Sequence, residues 1–407
     1  MGASETERGV DESNEGGRMT QDQIIQMLRK VIAENQNYTT WTDLRGHEDA
    51  IKNSLEKMVS QYLADKSKEI KNKTRIEKND SVKDRIPAKD NLSVSIIESL
   101  PTWVKNDIEN AFLIGTSRKV IQTSNGKKYH IDNPLNDLPG GEWTFFLNSV
   151  INTRYPTSGD EAYAHQLRKI HPSPKPPQLT KLIIDFFTKE KEIVLDYFMG
   201  VGGSLIGASL GNRRAIGIDL NKKYVDTYIE ASQSLKLEPQ TTIVGDALKI
   251  LNDKNTVEKI LGKEKVSLIL IDPPYGNMMA REKTGEAIKK KSDSSPTPYT
   301  NLDTDLGNME LKLFHEIFKN SVESSLKFLK PRGHIVVFIK DLQPKGKELN
   351  LLHADLIHSI NSIPSLNYLG TRIWADQGVN LYPYGYPYSY VANQIHQYIL
   401  IFRSTEK

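Results

Sequence analysis

Asp272-Pro273-Pro274-Tyr275 is the part of the chain best equipped for chemistry. It follows an unbroken apolar run at 268–271, short enough for a buried strand. Two prolines straight after a strand fix an extended, rigid exit, and neither carries an N–H. The turn therefore offers two acceptors, the Asp272 carboxylate and the Pro273 carbonyl, with few competing donors. Converging acceptors suit an amino group. An exocyclic amine on an aromatic ring is a poor nucleophile because its lone pair is delocalised. Acceptors on its hydrogens favour a pyramidal nitrogen with the lone pair free to attack. Pro274 completes the rigid exit, and Tyr275 supplies a face on which an extruded base could stack, a contact worth roughly 1–3 kcal/mol. A rigid loop with a buried tyrosine is the plainer alternative.

A second constellation lies upstream. A strand-like run ends at Asp196 and enters Tyr197-Phe198-Met199-Gly200-Val201-Gly202-Gly203-Ser204, before a helical stretch. Glycines at such a turn let a ligand approach the backbone closely. The spacing does not match the dinucleotide fingerprint G-x-G-x-x-G, and Asp196 precedes the glycines. A carboxylate there would repel a pyrophosphate and suits a cationic ligand without phosphate, of which S-adenosylmethionine is an example. The next strand ends at Asp219, where an acid would hold a ribose diol. The third ends at Asp246, placed to accept from an adenine amino group. Each acid alone could be a helix cap. Three at successive strand ends of one sheet edge point to a ligand, because that edge is where ligands bind.

These residues need a frame. From about residue 170, apolar runs at 193–196, 215–219, 242–244, 268–271, 334–339, 368–374 and 397–402 alternate with helical periods. That rhythm predicts an α/β fold, a mostly parallel sheet covered on both faces. Residues 1–19 are polar and read as a disordered tail without a secretory signal. Residues 20–165 form a helical and mixed N-terminal region: amphipathic periods begin at Thr20 and Ile51, a Lys-rich stretch follows from Lys66, and Trp103, Trp143, Phe145 and Phe146 lie beyond it. Residues 166–407 form the α/β domain. The 407 residues carry a net charge of +3 and no cysteine. No run reaches the ~18 apolar residues of a membrane span, so a cytoplasmic protein is expected. The missing cysteine excludes thiol nucleophiles and cysteine metal sites, and no metal is expected.

Taken together, the motifs resemble the DNA amino-methyltransferases that act on adenine N6 or cytosine N4. The carriers are Phe198-x-Gly200-x-Gly202, Asp272-Pro273-Pro274-Tyr275, the upstream His171-Pro172-Ser173-Pro174-Lys175-Pro176-Pro177 and the closing His396-Gln397-Tyr398-Ile399-Leu400-Ile401-Phe402-Arg403. The resemblance covers about residues 165–407. It implies a Rossmann-like methyltransferase fold, a seven-stranded sheet whose last strand is antiparallel, and S-adenosylmethionine as cofactor. Lys175, Pro176, Asp196, Phe198, Gly200, Gly202, Asp219 and Asp246 would bind it, the His-Pro segment opening a helix at its methionine end. Asp272, Pro273, Pro274 and Tyr275 would be catalytic. Tyr197 departs from the family, which usually has proline there. Aspartate before Pro-Pro is commoner in the adenine enzymes, and cytosine-C5 chemistry is excluded because it needs a thiolate. Cytosine N4, an RNA guanine-N2 methyltransferase and an inactive nucleic-acid-binding subunit remain alternatives.

The implied partner is double-stranded DNA with base flipping, as in site-specific restriction–modification. A homodimer and a cognate restriction enzyme are compatible with it, and no membrane is. Two regions are candidates for DNA contact. Between Asn277 and Asp303, apolar periodicity is absent and Arg281, Lys283, Lys289, Lys290 and Lys291 are dense, which suits phosphates near the flipped nucleotide. The motif order, with the cofactor loop before the catalytic turn, leaves spare length only ahead of His171. Target recognition is therefore expected at 20–165, where Asn148, Asn152 and Arg154 are types that read base edges.

Overall fold

The computed structural model describes residues 85–277, 299–341, 350–383 and 386–406. The chain divides into two compact units, Met1–Arg85 and Ile86–Lys407. The tail, the helices expected near Thr20 and Ile51, most of the Lys-rich stretch and the basic residues Arg281, Lys283, Lys289, Lys290 and Lys291 lie outside the described residues.

The second unit begins with a small antiparallel sheet of β1 (Ile86–Pro87), β2 (Phe112–Ile114), β3 (Val120–Gln122) and β4 (Lys128–His130), in that order. Ala88, Leu100, Val104, Leu113, Ile121 and Tyr129 form its core. A helix, α1 (Gly140–Phe146), follows; Phe146 stacks on Phe186 at 3.7 Å between ring centroids.

The main sheet has eight strands. β5 (Val150–Thr153) comes from the N-terminal region. β6 (Ile193–Asp196), β7 (Arg214–Asp219), β8 (Thr241–Val244), β9 (Val266–Ile271), β10 (Leu329–Ile339), β11 (Leu366–Asp376) and β12 (His396–Ser404) are the seven that the apolar runs predict. Their order is β5-β11-β12-β10-β9-β6-β7-β8. β12 lies antiparallel between β10 and β11, as the resemblance implies. β5 adds an eighth strand, parallel to β11 with Ile151 opposite Trp374. α1 and β5, which precede residue 166, pack with the main sheet: Phe146 and Ile151 share a core cluster with Leu268 and Leu270.

All six residues of β9 are buried, because a central parallel strand is covered on both faces. Ile269 and Ile271 face α2 (Leu311–Leu326) through Phe314 and Phe318. Leu268 and Leu270 face the cluster containing Leu179, Ile183 and Ile184 of the helix Pro177–Phe187. From β6 the chain moves outward to β7 and β8, then returns to β9 on the other side. Strand order reverses there, opening a crevice at the carboxyl ends of β6 and β9, where open α/β sheets bind ligands.

Candidate active site

Asp196, Asp219, Asp246 and Asp272 all stand at or just beyond carboxyl ends of parallel strands, on one edge. The glycine loop leaves β6 with Gly200 at φ +50° and Gly202 at φ +71°, values that side chains rarely adopt. Gly202 is also closed by packing, since a Cβ there would lie 2.0 Å from the Tyr228 ring. Asp196 fixes the loop by accepting from Phe198 N at 3.0 Å and from the Ser204 hydroxyl. Burial pushes its pKa up to about 7, against the lowering effect of those two donors. Asp219 accepts from Gly200 N and Asn221 N, both at 2.8 Å. Burial likewise raises it, to about 6. Asp246 is a helix cap, accepting from Leu248 N at 2.9 Å, while also lining the cleft. Tyr197, the departure from the family, points into the core, where Ser321 donates to its hydroxyl at 3.4 Å. It leaves the loop intact.

Three clefts meet at this edge. An acidic cleft of about 830 Å³ is lined by Asp219, Asp246, Asp272 and Asp305, with Phe198, Tyr224, Tyr299 and Leu248 as apolar wall. Among the described residues, no lysine or arginine lines it. His171, stacked on Tyr299 at 5.2 Å, is pushed down to about 4 by burial and stays neutral. A phosphate would meet four carboxylates and no cationic side chain among the described residues, so the donor set fits a cationic, phosphate-free ligand such as S-adenosylmethionine. A loop cleft continues from it past His171 and Gly200 to Asp196, Ser204 and Lys175. A basic cleft of about 1,050 Å³ lies beyond Lys175, lined by His165, Arg168, Lys340 and His396, with Asp376 its one carboxylate among the described residues.

Asp272 sits at the seam. Its Oδ2 meets Lys175 Nζ at 3.0 Å, and its Oδ1 accepts from the Tyr275 hydroxyl at 3.0 Å. Each oxygen keeps a further lone pair, and the side chain is 24% exposed. Lys175 also donates to Gln397 Oε1 at 2.5 Å and lies 4.5 Å over the Phe338 ring.

Several expectations change in detail. Lys175 joins the loop cleft but is held by Asp272. Pro176 lines the basic cleft, outside the two other clefts. Tyr275 is only 7% exposed and packs into the core, so its hydroxyl, more than an open face, reaches the site. Arg154, Asn148 and Asn152 are exposed, and the Asn148 carbonyl accepts from Arg372 Nε at 2.9 Å. His171, the first residue of the His-Pro motif, lines both the acidic and the loop cleft, whereas sequence reasoning missed the walls Tyr224, Tyr299 and Asp305, and Arg168. Arg168 is fully buried, bonded only to the carbonyls of Tyr163 and Lys175, and burial lowers it to about 10. Among the described residues, no group of three or more acidic, His or Cys side chains could hold a metal, and no helix is long and apolar enough to cross a membrane.

A Rossmann-like sheet with an acidic cofactor cleft at its reversal point defines a methyltransferase fold. The family model described as DNA methylase matches residues 15–230, which is 216 of the 407 residues, and the chain belongs to that family. S-adenosylmethionine is the family's methyl donor. A second model, conserved hypothetical protein 95, matches 183–317 and includes both motifs. The type II methyltransferase M.HindIII of Haemophilus influenzae is 45% identical over 74 residues, 18% of this chain and 21% of that one. The tRNA (guanine(10)-N2)-dimethyltransferase of Methanocaldococcus jannaschii is 31% identical over 153 residues, 36% of this chain and 41% of that one. This chain therefore spans well under two thirds of these relatives. The crystal structure of TrmN from Thermus thermophilus aligns with 60% of this chain and 53% of its own, at TM-score 0.37 and 15% identity.

Proposed function

We propose that this protein methylates an exocyclic amine of a nucleic-acid base, adenine N6 in double-stranded DNA, at a target rotated out of the helix. The supporting observation is the position of Asp272, on the wall of the acidic cleft and ion-paired to a lysine of the basic cleft. A cationic donor and a polyanionic acceptor would meet at that residue.

Bound in the acidic and loop clefts, S-adenosylmethionine supplies an electrophilic methyl group on a sulfonium. Asp219 and Asp246 would hold its nucleoside part, and Asp196 with the Gly200 backbone its amino-acid part. Asp272 and the Pro273 carbonyl take the two hydrogens of the target amine and turn its lone pair toward the cofactor. Lys175 and Tyr275, one on each carboxylate oxygen, fix the plane of Asp272 so that its free lone pairs face the cleft. Alkylation leaves the nitrogen with a proton to shed, and Asp272 already holds it. Tyr275 adds the edge of its ring to the cleft wall.

DNA and adenine are supported by the matched family and by aspartate before Pro-Pro. Guanine N2 in RNA is the competing substrate, because the tRNA relative matches over a longer stretch than M.HindIII does. Expression of the full chain in a host free of methylation, followed by mass spectrometry of nucleosides from DNA and from RNA, separates them. N6-methyladenine in DNA is expected. N2-methylguanine in RNA, or N4-methylcytosine, would replace the assignment, and no new methylation would remove it.

A further inference from the structure

The connection from β11 to β12 carries chemistry that the site above does not use. Residues 377–395 contain no Asp, Glu, Lys or Arg, and tyrosines occupy 382, 384, 386, 388 and 390, every second position. Tyr386, Tyr388 and Tyr390 are 80, 94 and 91% exposed. Their surroundings are built. Asn393 closes the base of the loop, donating to the Tyr382 carbonyl at 2.8 Å and accepting from Tyr382 N at 2.9 Å. Lys340 at the end of β10 donates to the Gln394 carbonyl at 2.6 Å, and Asp376 N to the Ile395 carbonyl at 2.9 Å. Both feet of the loop, Gly378 and Ile395, belong to the wall of the basic cleft. The stem of exposed Arg154 lies beside Gly378, where a Cβ would meet its Cγ at 3.8 Å.

An anchored loop that holds bare aromatic rings in water needs a partner for them. The feet of the loop line the same cleft as Lys340 and Lys175, the ion-pair partner of Asp272, and no carboxylate within the loop would repel a phosphate. We propose that this loop is a stacking platform for unpaired bases of the nucleic acid next to the target nucleotide. Every base has a π-face, so such contact is tolerant of sequence and tracks the backbone through neighbouring cations. The platform would hold the opened strand while the target occupies the cleft. The inference rests on the nucleic-acid substrate proposed above and adds to it the strand conformation the loop grips.

The test uses the full chain and twelve-residue oligonucleotides of dT and rU, with a blunt duplex of equal length, at one fixed salt concentration. Fluorescence anisotropy should show tighter binding of the single strands. Changing Tyr386, Tyr388 and Tyr390 together to Ser should weaken single-strand binding by about tenfold or more, from the loss of even one stacked base. Changing all three to Phe should restore it. Duplex binding and S-adenosylmethionine affinity should hold in both variants. Unchanged single-strand affinity in the Ser variant overturns the platform, as does a wild-type chain that binds no single strand. Loss of self-association with unchanged oligonucleotide affinity would assign the tyrosines to a protein contact instead. A wild-type chain that methylates neither DNA nor RNA fails a separate measurement and removes the proposed activity itself.

Discussion

The acidic cleft and the basic cleft share one sheet edge and are built in opposite ways. The acidic cleft is backbone-rich: glycines in left-handed conformations, helix N-termini and carboxylates already engaged by main-chain N–H groups. It is shaped before a ligand arrives. The basic cleft is lined by long side chains, Arg168, Lys175 and Lys340, and by the feet of the exposed aromatic loop. A small cofactor of fixed shape favours the first construction. A long polymer that must be opened and held favours the second. The two meet at the Lys175–Asp272 ion pair, and each variant below tests whether the halves separate as this contrast requires.

Asp272→Ala should have the largest effect, lowering methyl transfer by about 10²–10⁴-fold, the range for a group acting on a proton in the transition state. S-adenosylmethionine affinity by calorimetry should stay within about twofold, and a matching loss of affinity would place Asp272 in the cofactor half. Asp219→Ala should do the reverse, weakening the cofactor by about 10–100-fold, as for hydrogen bonds to a charged group at ~1.5–3 kcal/mol. Oligonucleotide affinity should not move, and weaker DNA binding without cofactor would break the division.

The acidic half also predicts a pH dependence. Burial raises Asp196 to about 7 and Asp219 to about 6. A cationic, hydroxyl-donating ligand favours their charged forms, so binding should release protons and affinity should climb from about pH 5 to a plateau near pH 8. Titration calorimetry in two buffers of different ionisation enthalpy reads the proton count, and uptake would contradict the assignment. In the free protein both folded values exceed the unfolded ones. Their stabilising contribution is therefore full below about pH 4 and is lost as pH rises through 6 and 7. Asp196→Asn should accordingly gain in Tm relative to wild type at pH 8 over pH 5. Tyr275→Phe should give the smallest change, about tenfold in turnover, from one hydrogen bond to a charged group at the low end of ~1.5–3 kcal/mol. A loss as large as that of Asp272→Ala would make the hydroxyl a direct participant.

Much of the frame was legible because each core strand is a continuous apolar run ending in a chemically distinctive residue. β6 ends at Asp196 as expected, and β9 leads straight into Asp272. β5 was not legible. It is four residues of mixed character with one buried side chain, and only its pairing to β11 makes it a strand. The Lys175–Asp272 contact spans 97 positions, and no local pattern encodes a pair that meets through tertiary structure. The motif gave Tyr275 its identity but not its orientation. Burial of the ring against Phe314 and its neighbours turned a supposed stacking surface into a hydrogen-bond donor. Arg168 had no motif at all, since its partners are main-chain carbonyls.

The insertion of β12 between β10 and β11 has a consequence for how the protein comes into being. As the ribosome extends the chain, β10 and β11 are made first, and neither can close against the other until residues 396–404 have emerged to fill the gap. β5 waits longer still: finished more than two hundred residues earlier, it has no place in the sheet until β11 exists. Until then the nascent chain carries unpaired apolar edges, the kind of surface that invites misassembly and chaperone attention. Pairings this distant in sequence also slow folding. The strands β6 to β9, which carry the glycine loop and lead into Asp272, are complete well before β10, β11 and β12 can assemble.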